Sequence, residues 1–265
     1  MSSRPRAEKT ASPETDVSEA IDQSQRADWS AYAKAYDLLS QHNPEYLAIQ
    51  QDFEKYLGTI ETPRRIYDIG GGTGNYTEIA ARVFPDSEVI LAEPDPGMIA
   101  AARAKLAHYE NVRFENTGLE HLEADGMADL IVCVHALYAM PGQEQRLADL
   151  HRVLRPGGLI YLVDLGRYMD VADWRRYLFA SLRKERGLIG ALKVIWDGRE
   201  IAKQNTAIFE AQKKGVYWTH SEEEFASAAT AAGFEILRQD TVYRGYSDLL
   251  VCRAKNNCIG GEIEQ

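Results

Sequence analysis

Cysteine is scarce in this 265-residue chain. There are three, Cys133, Cys252 and Cys258, with no CxxC pair and no Cys/His ligand spacing. An odd, unpatterned set excludes a disulfide framework and a structural zinc site, and it suits a reducing cytosol. No apolar run is long enough to span a bilayer, and the N-terminal stretch lacks the apolar core of about 7 to 15 residues that a secretory leader needs. The expectation is a soluble, untargeted, cytoplasmic protein. Excess positive charge is also missing: the formal net charge is -10, so the average surface repels phosphate backbones and anionic lipid. Neither a nucleic acid nor a membrane is therefore an expected partner. Large apolar side chains are rare from Met1 to about Asp28, where only Met1, Val17 and Ile21 occur, and residues 1–28 read as a disordered tail. Residues 255–265 read as a second tail. No internal repeat and no coiled-coil heptad is present.

Against these absences, 45% of residues are hydrophobic and 26% charged, which suits one globular domain with an appendage. From Trp29 the composition changes. Trp29, Tyr32, Tyr36, Leu38 and Leu39 approximate helical spacing, and "HNPEYLAIQQDFEKYL" follows with Asn43 as N-cap and Pro44 at the first helical position. A helical cap is thus expected over 29–59. Apolar strand-like runs then alternate with helix-like segments from "RRIYDI" to "GGLIYLVDL", the pattern of right-handed crossovers on a parallel sheet. Residues 166–218 break the alternation with helical segments and no convincing strand. After them, "SEEEFASAATAAGF" is expected as a helix with Ser221 as N-cap, and "EILRQDTVY" and "SDLLVCRAK" as two closing strands. The fold class is α/β: a Rossmann-like, doubly wound, seven-stranded sheet, mostly parallel, with an antiparallel last strand, a core over 60–165 and 219–254, and a helical insertion over 166–218.

"IYDIGGGTGNYT", residues 66–77, joins a strand to a helix through four glycines in five positions. Glycine there permits positive φ and close ligand approach, and helix-end N–H groups favour anionic ligand groups. A P-loop needs GK[ST] after its glycines, and none follows. A dinucleotide fingerprint needs G-x-G-x-x-G, but counting from Gly70 gives Gly72 and then Asn75, and counting from Gly72 gives Gly74 and then Thr77. What remains is Asp68-x-Gly70-x-Gly72-x-Gly74 at a strand end, with Glu93 at the end of the next strand.

With these motifs the chain resembles the class I S-adenosylmethionine-dependent methyltransferases, in their small-molecule branch. "YDIGGGTG" is similar to that family's first motif, "VILAEPDPGMI" to its second, "ADLIVCVHALYAM" to its fourth strand and "LHRVLRPGGLIYLVD" to its fifth strand with the helix before it. The resemblance runs from about residue 60 to 254, broken by the insertion, and it implies S-adenosylmethionine as cofactor. On the matching positions, Gly70, Gly71, Gly72 and Gly74 would line the methionine and ribose portion. Asp68 would order the turn or accept from the amino group, and Glu93 would accept from the ribose hydroxyls. Pro94 and Met98 would lie against adenine, and Tyr32 and Tyr36 would close over the cofactor. Where relatives commonly carry an Asp for the adenine amino group, this chain reads "NTGLEHL", leaving backbone contacts from Gly118 and Leu119.

The expected reaction is methyl transfer by in-line displacement to a small molecule, most simply O-methylation, in which a positioned base assists a hydroxyl. Of the six histidines, His42 and His108 fall in contexts remote from the expected pocket, and His121 and His151 on solvated surfaces. His135, just after the fourth strand, is the candidate to touch cofactor or substrate and to act as base, and His220 ranks behind it with a helix-start role as the alternative. The insertion holds 11 Lys or Arg against 6 Asp or Glu and three of the four tryptophans. That contrast with the acidic remainder points to an anionic or aromatic acceptor, held by Trp174, Arg175, Arg176 and Tyr177. No carboxylate cluster has metal-ligand spacing, so no metal is expected. Two other readings share these residues: a lyase or cyclase that consumes the cofactor and releases methylthioadenosine, and a non-catalytic binding subunit. Homodimerisation is compatible with the sequence.

Overall fold

The structure is a computed structural model that describes residues 27–255. The expected tails lie outside the described residues except at their inner ends. There, Ala27 is buried and its N–H donates to Tyr217 Oη at 3.1 Å, while the Asp28 N–H reaches Gln204 Oε1 at 3.0 Å. These two residues anchor the chain before the first helix.

Helices α1 (Trp29–His42) and α2 (Pro44–Leu57) meet at Asn43, whose side-chain oxygen accepts from the N–H groups of Glu45 and Tyr46 at 3.1 and 3.4 Å. Pro44 follows at a position whose N–H would have no helical partner, so the turn costs little. Then come β1 (Arg65–Ile69), α3 (Asn75–Val83), β2 (Glu88–Ala92), α4 (Pro96–Lys105), β3 (Val112–Glu115), β4 (Ala128–Val134), α5 (Gln143–Val153) and β5 (Leu154–Leu165). Two further helices, α6 (Val171–Asp197) and α7 (Arg199–Lys213), precede α8 (Glu222–Ala231), β6 (Phe234–Val242) and β7 (Ser247–Ala254).

The seven strands form one sheet in the order β3-β2-β1-β4-β5-β7-β6. The pairs among β1 to β5 are parallel, and β7 runs antiparallel to both β5 and β6. This is the doubly wound sheet expected from the sequence, and the order reverses at β1, where such folds open a crevice for ligands. Strand alternation divides the core. Ile66, Val89, Leu91, Leu130 and Val132 face α2 and α3, whereas Tyr67, Ile90, Ile131 and Cys133 face α5 and α8. A third apolar cluster, containing Tyr32, Met98, Tyr138, Leu165, Ile208 and Tyr217, lies over the carboxyl ends of the strands and binds α1 and α7 to the sheet.

The inserted helices divide differently from the sequence expectation. The break expected between the two segments falls at Gly187, whose non-helical φ 72° and ψ 178° kink α6, but the second expected segment is cut again at Gly198. The Gly198 N–H closes α6 on Val194 O at 2.8 Å, and the next helix begins at once. Among the described residues no helix is long and apolar enough to cross a membrane.

At the start of α8, Ser221 Oγ accepts from the Glu224 N–H at 3.1 Å and the Glu224 carboxylate accepts from the Ser221 N–H at 2.7 Å. This reciprocal cap satisfies two end donors. Ser221→Ala is expected to lower stability by about 1 kcal/mol, read as a lower urea midpoint at unchanged slope.

Candidate cofactor and acceptor site

The four glycines of the turn after β1 do different work. A Cβ on Gly70 would come within 2.5 Å of Ala136 Cβ, and one on Gly71 within 2.8 Å of Asp68 Cγ and Leu91 Cγ. At Gly74 it would meet Leu106 Cδ1 at 2.6 Å. Those three are small because protein atoms press on them. Gly72 also has a left-handed backbone, φ 56°, yet its Cβ would meet nothing nearer than Met98 Sδ at 3.9 Å. Of the four, Gly72 is therefore the one whose open side faces the crevice.

Glu93 lies where the sequence expects a diol acceptor. It is 7% exposed; Oε2 accepts from the Gly72 N–H at 3.0 Å and Oε1 from the Asp95 N–H at 2.8 Å. Burial pushes its carboxyl up to about 7 in spite of those two N–H groups, and Asp95 and Asp68 add repulsion. Asp68 is also buried and pushed up by burial to about 6, with Thr77 Oγ1 donating to Oδ2 at 2.6 Å. It orders the turn from beneath. Pro94 is exposed, Met98 is buried beside Tyr32, and Leu119 is buried in the turn that starts after Gly118. Asn116, which the sequence reading passed over, donates to Glu93 O at 2.8 Å and Pro94 O at 3.1 Å, fixing the β3 end against the β2 end.

α1 closes over this turn. Ser30 Oγ donates to Asp95 at 2.9 Å, Thr73 Oγ1 donates to Asp37 at 2.7 Å, and Lys105 Nζ reaches both Asp37 and Asn75 at 2.7 Å. Tyr32 and Tyr36 meet edge to face at 5.1 Å, and the Tyr36 hydroxyl, raised to about 12 chiefly by burial, feels the charges of Asp68 and Glu93. The expected aromatic cover is thus adjacent to the acidic pair. Polar closure through Asp37, Thr73 and Lys105 was not foreseen, because an Asp on one helix and a Lys on another carry no local sequence signal.

His135 has a left-handed backbone, φ 52°. Its Nε2 lies 2.9 Å from Ser247 Oγ, and its ring packs 4.8 Å from that of Tyr243. Burial lowers its pKa to about 4. The ring therefore stays neutral near pH 7 and is a poor proton acceptor, which weakens the expectation of a His135 base. His220 is buried between two carboxylates instead: Nε2 is 3.4 Å from Asp164 Oδ2 and Nδ1 is 3.5 Å from Asp248 Oδ2. Arg167 completes that network on Asp248 at 2.6 and 2.7 Å. Its place is inside the protein, holding β5 to β7, since Asp164 Oδ1 also accepts from the Tyr138 N–H at 2.9 Å.

An apolar cavity of about 570 Å³ opens between α1, α6 and α7, on the far side of Tyr243 and Trp174 from His135. Trp174, Arg175 and Arg176 line it, and Trp174 stacks on Tyr243 at 4.7 Å, so one aromatic ring separates the cavity wall from His135. Tyr177 turns away, donating to Glu45 Oε1 at 2.5 Å beneath the Arg244 guanidinium. His42 corrects the sequence reading that set it apart: it lines this cavity, and its buried Nδ1 has no hydrogen-bond partner among the described residues. Its position just before the Asn43-Pro44 cap was the available signal, because a helix junction turns side chains inward. Asn43 is fixed by donating to Tyr243 Oη at 2.9 Å.

The comparisons decide the kind of domain. The methyltransferase domain family matches residues 66–158. Over that segment, about a third of the chain, the sequence is similar to a methyltransferase domain. The trans-aconitate 2-methyltransferase of Methylobacterium nodulans is 32% identical over 101 residues, 38% of this chain and 38% of that protein. The ubiquinone/menaquinone biosynthesis C-methyltransferase UbiE of Stutzerimonas stutzeri is 33% identical over 108 residues, 39% of this chain and 42% of that protein. The chain spans about two fifths of the length of these relatives. The N-methyltransferase NodS of Bradyrhizobium japonicum, solved with S-adenosylhomocysteine, shares the fold with a TM-score of 0.57 at 14% identity, over 85% of this chain and 98% of that one.

The site of the methyltransferase domain fits its cofactor by two observations: open space at Gly72, and a buried carboxylate beside it able to accept from a diol. Hydroxyl donors favour ionised Glu93, so binding lowers a pKa of about 7 and affinity rises with pH through that value. Calorimetry with S-adenosylhomocysteine is expected to show tighter binding at about pH 8 than at about pH 6, with the slope flattened in Glu93→Gln as far as Asp68 does not titrate.

Proposed function

We propose that this chain transfers a methyl group from S-adenosylmethionine to a small, largely apolar acceptor whose nucleophilic atom is already anionic, with carboxylate O-methylation first and methylation of an enolate-like carbon second. The observation that carries the reading is the pairing of an apolar cavity of about 570 Å³ with a neutral, buried His135. When bound, the cofactor supplies a methyl group already activated by a sulfonium. The remaining tasks fall to the protein: to hold the acceptor in line, to exclude water and to leave the nucleophile unprotonated.

Gly72, Glu93, Asp68, Met98 and the aromatic cover of α1 hold the cofactor in this reading. Trp174 supplies a flat wall for the acceptor, and Arg175 and Arg176 at the cavity's edge attract its negative charge. His42 Nδ1 offers a hydrogen bond to a polar group inside. His135 positions Tyr243 and the β4 end and does not take the proton, because a carboxylate has none to give near neutral pH. Two relatives support this class of acceptor, one named for the polycarboxylate trans-aconitate and one for carbon methylation in quinone synthesis. The place of action is the cytoplasmic side of the cell.

With saturating donor, transfer to an aryl or alkyl carboxylate is expected to yield S-adenosylhomocysteine, with kcat flat from about pH 6 to about pH 8. Trp174→Ala and the double variant Arg175→Ala/Arg176→Ala should raise the acceptor KM about tenfold or more while leaving the donor KM unchanged. Methylthioadenosine released without an acceptor, or a kcat rising tenfold per pH unit through neutrality, would contradict the proposal.

A further inference from the structure

The second half of α6 leaves a large apolar face uncovered. Leu188, Ile189, Leu192, Ile195 and Trp196 are 53%, 85%, 54%, 39% and 69% exposed. Their spacing of one, four, seven and eight residues from Leu188 places them on one side of a helix. Ala191, at the flank of this face, is fully buried, and Gly190 and Val194 beyond it are partly buried, so that side turns to the protein. The face is therefore the outward one, and Trp196 stands at its end.

Cations frame it. Arg183, Lys184 and Lys193 are exposed and have no acidic partner among the described residues. Arg186 pairs only with its chain neighbour Glu185 at 3.4 Å, and the Arg199 guanidinium lies over the Trp196 ring at 5.2 Å. Residues 183–199 hold five Lys or Arg against Glu185 and Asp197, whereas the whole chain carries -10, so this segment is locally cationic on an acidic protein. An apolar helix face bordered by Lys and Arg is the chemistry of a helix lying in the plane of an anionic membrane. A second copy of the chain is a poorer occupant, because pairing the face with itself brings the same cations together.

We propose that the Leu188 to Trp196 face of α6 docks on an anionic lipid surface. Leu192 and Ile195 belong both to this face and to the lining of the acceptor cavity. Docking thus sets the cavity's rim against the lipid, where an amphiphilic carboxylate dissolved in the membrane can pass into it. That purpose rests on the acceptor reading above, but docking itself does not and is measured without donor or acceptor. The acidic remainder of the chain is repelled by the same surface, which fixes the orientation. The whole-chain charge, which speaks against a membrane, does not describe this patch.

The test is sedimentation of the full chain with vesicles of phosphatidylcholine alone and of phosphatidylcholine with phosphatidylserine, together with tryptophan emission. Binding is expected only to the anionic vesicles, weakened by salt and accompanied by a blue shift that Trp196→Phe removes. Lys184→Ala and Lys193→Ala should each weaken partition about fivefold, and Ile189→Ser/Trp196→Ser should abolish it while leaving S-adenosylhomocysteine affinity unchanged. Equal binding to neutral vesicles, or none to either, overturns the proposal. So does a dimer in light scattering that Ile189→Ser/Trp196→Ser converts to monomer. If vesicles bind but no carboxylate is methylated, docking stands and the acceptor reading falls.

Discussion

The carboxylate of Glu93 bridges the N–H of Gly72 in the turn after β1 and the N–H of Asp95 at the start of α4. Much of the site's order depends on that bridge. It sets the turn at the reversal point of the sheet, and through Asp95 it reaches Ser30 on α1, so the helix that covers the crevice is tied to the carboxylate at its floor. The arrangement holds an acid in a buried place where its charge is costly, which is why its pKa rises to about 7. A ligand diol that donates to this acid relieves part of that cost.

Around this centre the protein separates two environments. One side is polar: Asp68, Glu93 and the backbone of the glycine turn. The other is an aromatic wall that runs from His135 through Tyr243 to Trp174. The wall is held by the connection between β6 and β7, where Tyr243 and Arg244 both take left-handed φ, 53° and 58°. Arg244 pays out that strain in contacts, reaching Asp173 at 2.9 Å and covering the Tyr177 ring, so the inserted helix α6 is fastened to the sheet beside the acceptor cavity. Positioning by a stiff aromatic frame suits a reaction whose electrophile is already activated.

The sheet was legible because parallel strands are written as short apolar runs and glycine turns as fixed spacings. Both depend on neighbours in sequence, as do the Asn43 and Ser221 caps. Glu93 was legible for the same reason, standing at the end of its own strand. The acceptor side was legible only in part: Trp174, Arg175 and Arg176 stand together in the sequence, but the His42-Asn43 junction and Tyr243 come from two other segments, and only the fold brings them to Trp174. His220 illustrates the limit: sequence gives a histidine before a helix, whereas its meaning lies in Asp164, 56 residues upstream on β5, and Asp248, downstream on β7. The four glycines looked alike in sequence, but three face protein atoms and Gly72 faces open space.

The central claim is that one carboxylate beside Gly72 organises a cofactor site that opens toward the aromatic wall. A crystal structure with S-adenosylhomocysteine tests it most directly. The account predicts both ribose hydroxyls within hydrogen-bond distance of Glu93, the chain passing over Gly72, and the sulfur turned toward His135 and Tyr243. A ribose bound away from Glu93, or a sulfur facing the opposite side of the sheet, would contradict it.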